Sequence, residues 1–179
     1  MGLAEVDLTQ HEPSALRSAV SRTLEQAPTN LGAGARAVKE ASETKAATYF
    51  VSLLEVGYLV ASADGFAETE RHALADLLEQ ATGKAVVHDE LDLHFRDLED
   101  ACQMLGRRER LRRAAADFDD TRSHEEAVGF AALVSLGDGR LDSAEAAALS
   151  ELGSHFGFDE ARVNEIVSSV VSRVRAALA

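Results

Sequence analysis

The apolar positions of the chain fall into helix-spaced groups separated by glycines, prolines and acidic turns. Residues 1–12 carry no periodicity and read as a mobile tail. Pro13 stands where a helix can begin, and Leu16, Val20 and Leu24 follow at four-residue steps until Pro28 ends the pattern. Thr29 to Gly34 reads as a linker, and the segment around Val38, its one large apolar residue, is weakly helical at best. From Thr44 to Ala63 apolar residues occupy almost every face, which predicts a buried helix, with Gly57 marking close approach of another backbone. Asp64-Gly65 breaks this helix, and a second runs from Thr69 to Thr82 with Leu74, Leu77 and Leu78 inward.

Leu91, Phe95, Leu98, Cys102 and Leu105 form one stripe on a helix over 87–105, and Gly106 separates it from an arginine-rich helix reaching Phe118. After a loop at Asp117–Thr121, Ser123-His124-Glu125-Glu126 has the form of a capping box and starts a second core helix through Val128, Phe130, Leu133 and Val134. Asp138-Gly139 breaks it, Asp142-Ser143-Ala144-Glu145 offers another box, and the next helix reaches Phe156 before Gly157. Phe158 and Val163 around Asp159 match a hydrophobic staple that opens a last helix to Leu178. No stretch alternates as a strand does. The fold class read from these patterns is all-α, about seven to eight helices in a single bundle. Its expected core is Phe50, Leu54, Tyr58, Leu74, Leu77, Phe130, Leu133, Leu149, Leu152 and Phe156.

One pattern occurs twice. Leu59-Val60-Ala61-Ser62-Ala63-Asp64-Gly65 is echoed by Leu133-Val134-Ser135-Leu136-Gly137-Asp138-Gly139, and each copy continues through an acidic link into a Leu-bearing helix. This duplication resembles the TerB-like family, the small helical domain of tellurite-resistance systems, whose members carry paired helix-Asp-Gly-x-x-x-x-x-Glu-helix elements. The resemblance places repeat units at about 44–83 and 123–157, related by a pseudo-two-fold, with a C-terminal helix at 159–178 and an N-terminal extension over 1–43. It also implies a cytoplasmic, non-catalytic domain of a bacterial stress response, one that associates with protein partners or with itself and binds metal through acidic residues. Asp64, Glu70, Asp138 and Glu145 match the family motif. The first copy departs from it, because Glu70 follows Asp64 by six positions where Glu145 follows Asp138 by seven, and Arg71 holds the seventh.

The residues themselves permit the same chemistry. Asp64, Glu68 and Glu70 in one copy, and Asp138, Asp142 and Glu145 in the other, flank tight turns, and clustered carboxylates suit a hard divalent cation such as Ca²⁺ or Mg²⁺. The same residues are equally what helix capping and the helix dipole favour, so a purely structural or dimerising module without metal is the competing reading. An EF-hand is excluded, because Val134 and Leu136 would fall at its first and third ligand positions.

Composition narrows the function further. The 179 residues suffice for one core, and the formal net charge of −13 opposes attraction to nucleic acid or anionic lipid. Arg107–Arg113 is the only dense basic patch, suited to an acidic partner or to this protein's own acidic face. The longest uncharged stretch, Ala127–Gly137, is far short of the ~20 residues that span a bilayer, so no membrane insertion is expected. The single Cys102 allows no internal disulfide and falls on an apolar stripe. No phosphate loop, nucleophile elbow or Cys-x-x-Cys pair occurs, which argues against an enzyme. The remaining alternative is a metal-dependent hydrolase using His88–His94, where His88 with Asp92 and Glu90 with His94 stand four apart.

Overall fold

The computed structural model describes Leu3 and residues 5–26, 31–40 and 45–179. The described chain is a helical bundle of α1 (Pro13–Glu25), α2 (Leu31–Lys39), α3 (Lys45–Ala61), α4 (Glu68–Ala81), α5 (His88–Leu105), α6 (Arg107–Ala115), α7 (Thr121–Ser135), α8 (Ser143–His155) and α9 (Glu160–Leu178). A 3₁₀ turn spans Leu136–Asp138, and a two-residue strand β1 (Val6–Asp7) pairs antiparallel with β2 (Arg140–Leu141). Pro28 and Thr44, the expected end and start of two helices, lie outside the described residues.

At the centre α3 packs along α7, and both helices are buried on most faces. Their contact is close because Gly57 has no side chain. A Cβ there would stand 2.7 Å from Cε1 of Phe130 and 3.1 Å from Cγ2 of Val134. Around this pair α2 lies on α3, α9 packs on α7 and α1, α8 packs on α7, α6 and α9, and the α4–α5 hairpin joins through α1 and α6. All ten expected core residues belong to this cluster, with Phe156 partly buried at its edge.

Polar ties hold α6 across the bundle. Arg110 pairs with the buried Glu55 of α3, and Arg107 donates to Ser62 Oγ at 2.6 Å and to Glu99 at 3.3 Å. Glu99 also accepts the Tyr58 hydroxyl at 2.7 Å. Because desolvation pushes the Glu55 carboxyl up and the adjacent Arg110 guanidinium holds it down, that pair persists only with both partners present.

Four expectations are corrected by this packing. The tail is ordered at β1: the Leu8 amide donates to the Gly139 carbonyl at 2.7 Å, and the Leu8 and Leu141 side chains are both fully buried. Such a short strand leaves too few positions for alternation to register in the sequence. Second, α1 is no extension, since Leu16, Ala19, Val20 and Leu24 bury against α9, α4 and the 3₁₀ turn in the same core as the rest. Third, the segment holding Val38 is the regular helix α2, which buries Leu31, Gly34 and Ala35 against α3 by tertiary packing rather than by propensity. Fourth, the cap of α7 is Asp120, accepting from the Ser123 amide at 2.8 Å while Ser123 Oγ receives the Asp120 N–H at 3.2 Å. Ser123 thus stands inside the first turn instead of at its cap.

Candidate functional site

The two Asp-Gly turns lie side by side and frame one cavity of about 300 Å³, lined by the ends of α3 and α7 and the starts of α1, α4 and α8. Each turn closes on a glycine with positive φ, +99° at Gly65 and +91° at Gly139, a conformation an L side chain resists. Gly139 is also crowded, with Leu16 Cδ2 3.0 Å from where its Cβ would be.

From these turns the acidic residues project into shared space. Glu70 occupies the third helical position of α4 and accepts the Ala67 N–H at 2.7 Å. Glu145 occupies the same position in α8 and accepts the Asp142 N–H at 2.9 Å, while Asp142 accepts the Glu145 N–H at 2.8 Å. The unequal spacing in the sequence therefore disappears: the extra residue of the second link is taken up by the turn into β2, and both glutamates reach the same helical register. Ala67 carries no acceptor, so the first box is half of the second.

Asp64, Glu70, Asp138, Asp142 and Glu145 all line the cavity. The Asp64 and Asp142 carboxyls are neighbours in this space, like charges that disfavour each other's ionisation. Asp64 titrates above the ordinary carboxylate range, through desolvation first and then Asp142 and Glu70. Asp138 is open to solvent on one side, yet the protein packed on its other side pushes its carboxyl up, opposed by the Arg140 N–H at 2.9 Å and reinforced by Glu70 and Asp142. Glu145 is 5% exposed, and burial together with the negative charges of Asp142, Asp138 and Asp64 pushes it up to about 8. Among the described residues no Lys, Arg or His forms an ion pair with any of these five, although the exposed Arg17 of α1 stands on the cavity wall. Asp64, Glu70 and Asp138 keep contact with solvent, whereas the buried Glu145, set among like charges, favours a proton or a nearby cation. No three of the described His, Cys, Asp and Glu side chains are arranged as they stand to hold an ion.

No family model, curated protein or solved structure matches this chain.

Glu68 does not join the cavity. It is the first residue of α4 and leans outward to Arg71 and His72, 3.9 Å from each. Arg71, seven positions after Asp64, binds Asp92 of α5 at 2.7 Å and holds that carboxyl below its usual range.

The other candidates resolve into different arrangements. The arginines of α6 are engaged at home: Arg107 and Arg110 turn inward, Arg108 reaches Glu151 at 3.0 Å, and Arg112 and Arg113 clasp Glu109 at 2.7 and 2.9 Å. The His88–His94 constellation does not assemble. Asp92 is taken by Arg71 and Arg96, and His94 turns inward, where desolvation lowers its pKa and its buried Nε2 has no partner. His155 lies 3.9 Å from Glu151 as a surface contact, and the Cys102 thiol is buried and pushed up by desolvation. Among the described residues no helix is long and apolar enough to cross a membrane.

Proposed function

We propose that this chain is a non-catalytic, TerB-like domain that binds a divalent cation, Ca²⁺ or Mg²⁺, between its two helix-turn-helix units and associates with protein partners in a bacterial stress response. The units are α3 to α4 and α7 to α8, each with an Asp-Gly turn and a glutamate in the first turn of its second helix. The observation that carries the reading is the convergence of Asp64, Glu70, Asp138, Asp142 and Glu145 on one cavity, Glu145 buried and none ion-paired within the described protein. A hard cation entering there offsets the repulsion among these carboxylates, with small side-chain rotations and water completing its oxygen shell. The family assignment and the stress-response role rest on the duplicated motif.

The cavity also gives such binding a structural consequence. Asp138 and Asp142 flank β2, to which β1 and Leu8 are tied, so an ion drawing those carboxylates inward acts on the segment that fastens the N-terminus. Thermal unfolding of chelator-treated protein in a Ca²⁺, Mg²⁺ and Mn²⁺ series tests the proposal, because a ligand that binds only the folded state stabilises it by RT ln(1 + [L]/Kd). The expected result is a rise in Tm for wild type that Asp138→Asn loses. Absence of a rise at millimolar concentrations leaves the carboxylates as caps and sinks the cation site.

A further inference from the structure

The α4–α5 hairpin carries a second cluster that the acidic cavity does not use. Each helix bears a His-x-x-x-Asp sequence, His72 with Asp76 on α4 and His88 with Asp92 on α5. Residues four apart share a helix face. The hairpin turns both faces toward each other and pairs them crosswise: His88 Nδ1 lies 2.6 Å from Asp76 Oδ1, and His72 Nε2 lies 3.5 Å from Asp92 Oδ1. The two imidazoles meet edge to face, with ring centres 5.1 Å apart and planes at 73°.

That separation is informative. An imidazole bound to a metal through one nitrogen at ~2.0–2.1 Å puts its ring centre roughly 3.2 Å from the ion, so two such rings at a right or tetrahedral angle stand about 4.5–5.2 Å apart. The observed pair already has this spacing. His88 Nδ1 is hydrogen-bonded to a carboxylate, the arrangement that fixes the tautomer and orientation of metal-binding histidines, and His72 Nε2 lies in ion-pair range of another. Asp92 is itself held by Arg71 at 2.7 Å and Arg96 at 3.0 Å, Asp76 is open to solvent, and His72 Nε2 also lies 3.9 Å from Glu68. Both rings reach solvent, at 43% and 26% side-chain exposure for His72 and His88.

We propose that His72 and His88 form a second, separate metal site, a two-imidazole seat for a borderline transition ion such as Zn²⁺ or Ni²⁺, oriented by Asp92 and Asp76 and completed by water. Imidazole favours these ions over Ca²⁺ and Mg²⁺, which take oxygen ligands. Two protein ligands give an open site with exchangeable positions, suited to sensing or to ligand exchange rather than to permanent structural metal.

The test is titration of the full chain with ZnCl₂ and NiCl₂ by calorimetry at neutral pH, with histidine ring resonances followed by NMR. The expected result is one equivalent bound in the micromolar range, with the His72 and His88 resonances perturbed ahead of His11, His94, His124 and His155. His72→Gln and His88→Gln each weaken binding at least ~10-fold, as does Asp76→Asn to a smaller degree, whereas Asp138→Asn and Glu145→Gln leave it unchanged. Those last variants separate this site from the acidic cavity, so either proposal can fail alone. The site is refuted if wild type binds neither ion at about 1 mM, if both histidine variants bind within about twofold of wild type, or if the perturbed resonances in wild type belong to other histidines.

Discussion

Glu145→Gln is the substitution whose outcome follows most directly from the cavity. An ordinary glutamate releases its proton near 4.5, whereas Glu145 in the folded protein holds it up to about 8. Below pH 4.5 the group is protonated in both states and contributes nothing to pH dependence. Between 4.5 and 8 the unfolded chain loses the proton that the folded state keeps, so stability falls as pH rises, by at most ~1.4 kcal/mol per pH unit. Between pH 5.5 and 7.5 this one carboxyl therefore removes up to about 2–3 kcal/mol. Glutamine keeps the oxygen that accepts the Asp142 N–H and cannot ionise, so the variant retains the helix cap.

In chelator-treated protein Glu145→Gln is expected to match wild type within about 0.5 kcal/mol near pH 4, and its advantage to grow by roughly 2 kcal/mol between pH 5.5 and pH 7.5. In a chain of this size that is on the order of 4–8 °C in Tm. Urea unfolding followed by circular dichroism at half-unit pH steps measures it. Other groups are separated by taking the difference between the two proteins. His94, whose pKa burial lowers, costs stability as pH falls through 6.5 in both of them, and the depressed carboxyls of Asp7, Asp92 and Asp120 act only below pH 4. Identical pH slopes for the two proteins, or a variant less stable throughout, would refute the account of Glu145 as a buried carboxyl among like charges.

Three further outcomes follow from the packing. Gly57→Ala is expected to destabilise by about 1–3 kcal/mol in chemical denaturation despite alanine's better helix propensity, because the added methyl meets the Phe130 ring at 2.7 Å. Arg110→Met leaves Glu55 buried without its partner and costs roughly 2–4 kcal/mol, most of which Glu55→Gln in the same chain restores in a double-mutant cycle. Leu8→Ala costs about 2–3 kcal/mol if β1 belongs to the core, measured by urea unfolding, whereas a free tail predicts no change.

Much of the architecture is legible in the residues alone because helix formation writes a local, periodic signature. The stripe of Leu91, Phe95, Leu98 and Cys102, the Asp142 and Asp159 caps, and the crowded run of α3 each state their element within a single turn or two. The demand of Gly57 for close approach was readable for the same reason, since only a missing side chain explains a glycine inside so apolar a helix. The duplicated turns named Asp64, Glu70, Asp138, Asp142 and Glu145, which share one cavity, and also Glu68, which does not. Two helical positions, about 200° around the axis, separate outward Glu68 from inward Glu70, and an acidic residue reads alike on either face.

What tertiary structure decided are the relations between segments far apart in the chain. Pairing of β1 with β2 joins residues 6–7 to 140–141, and no local pattern can specify a partner at that distance. The same is true of α1, whose short apolar face is an extension in isolation and core once α9 covers it. His72 has no stated role until the hairpin sets it 5.1 Å from His88, and Glu145 is an ordinary capping glutamate until three other carboxylates and a closed cavity wall raise its pKa. Charge–charge and burial energies depend on distance and dielectric, and both are properties of the packed molecule rather than of the order of its residues.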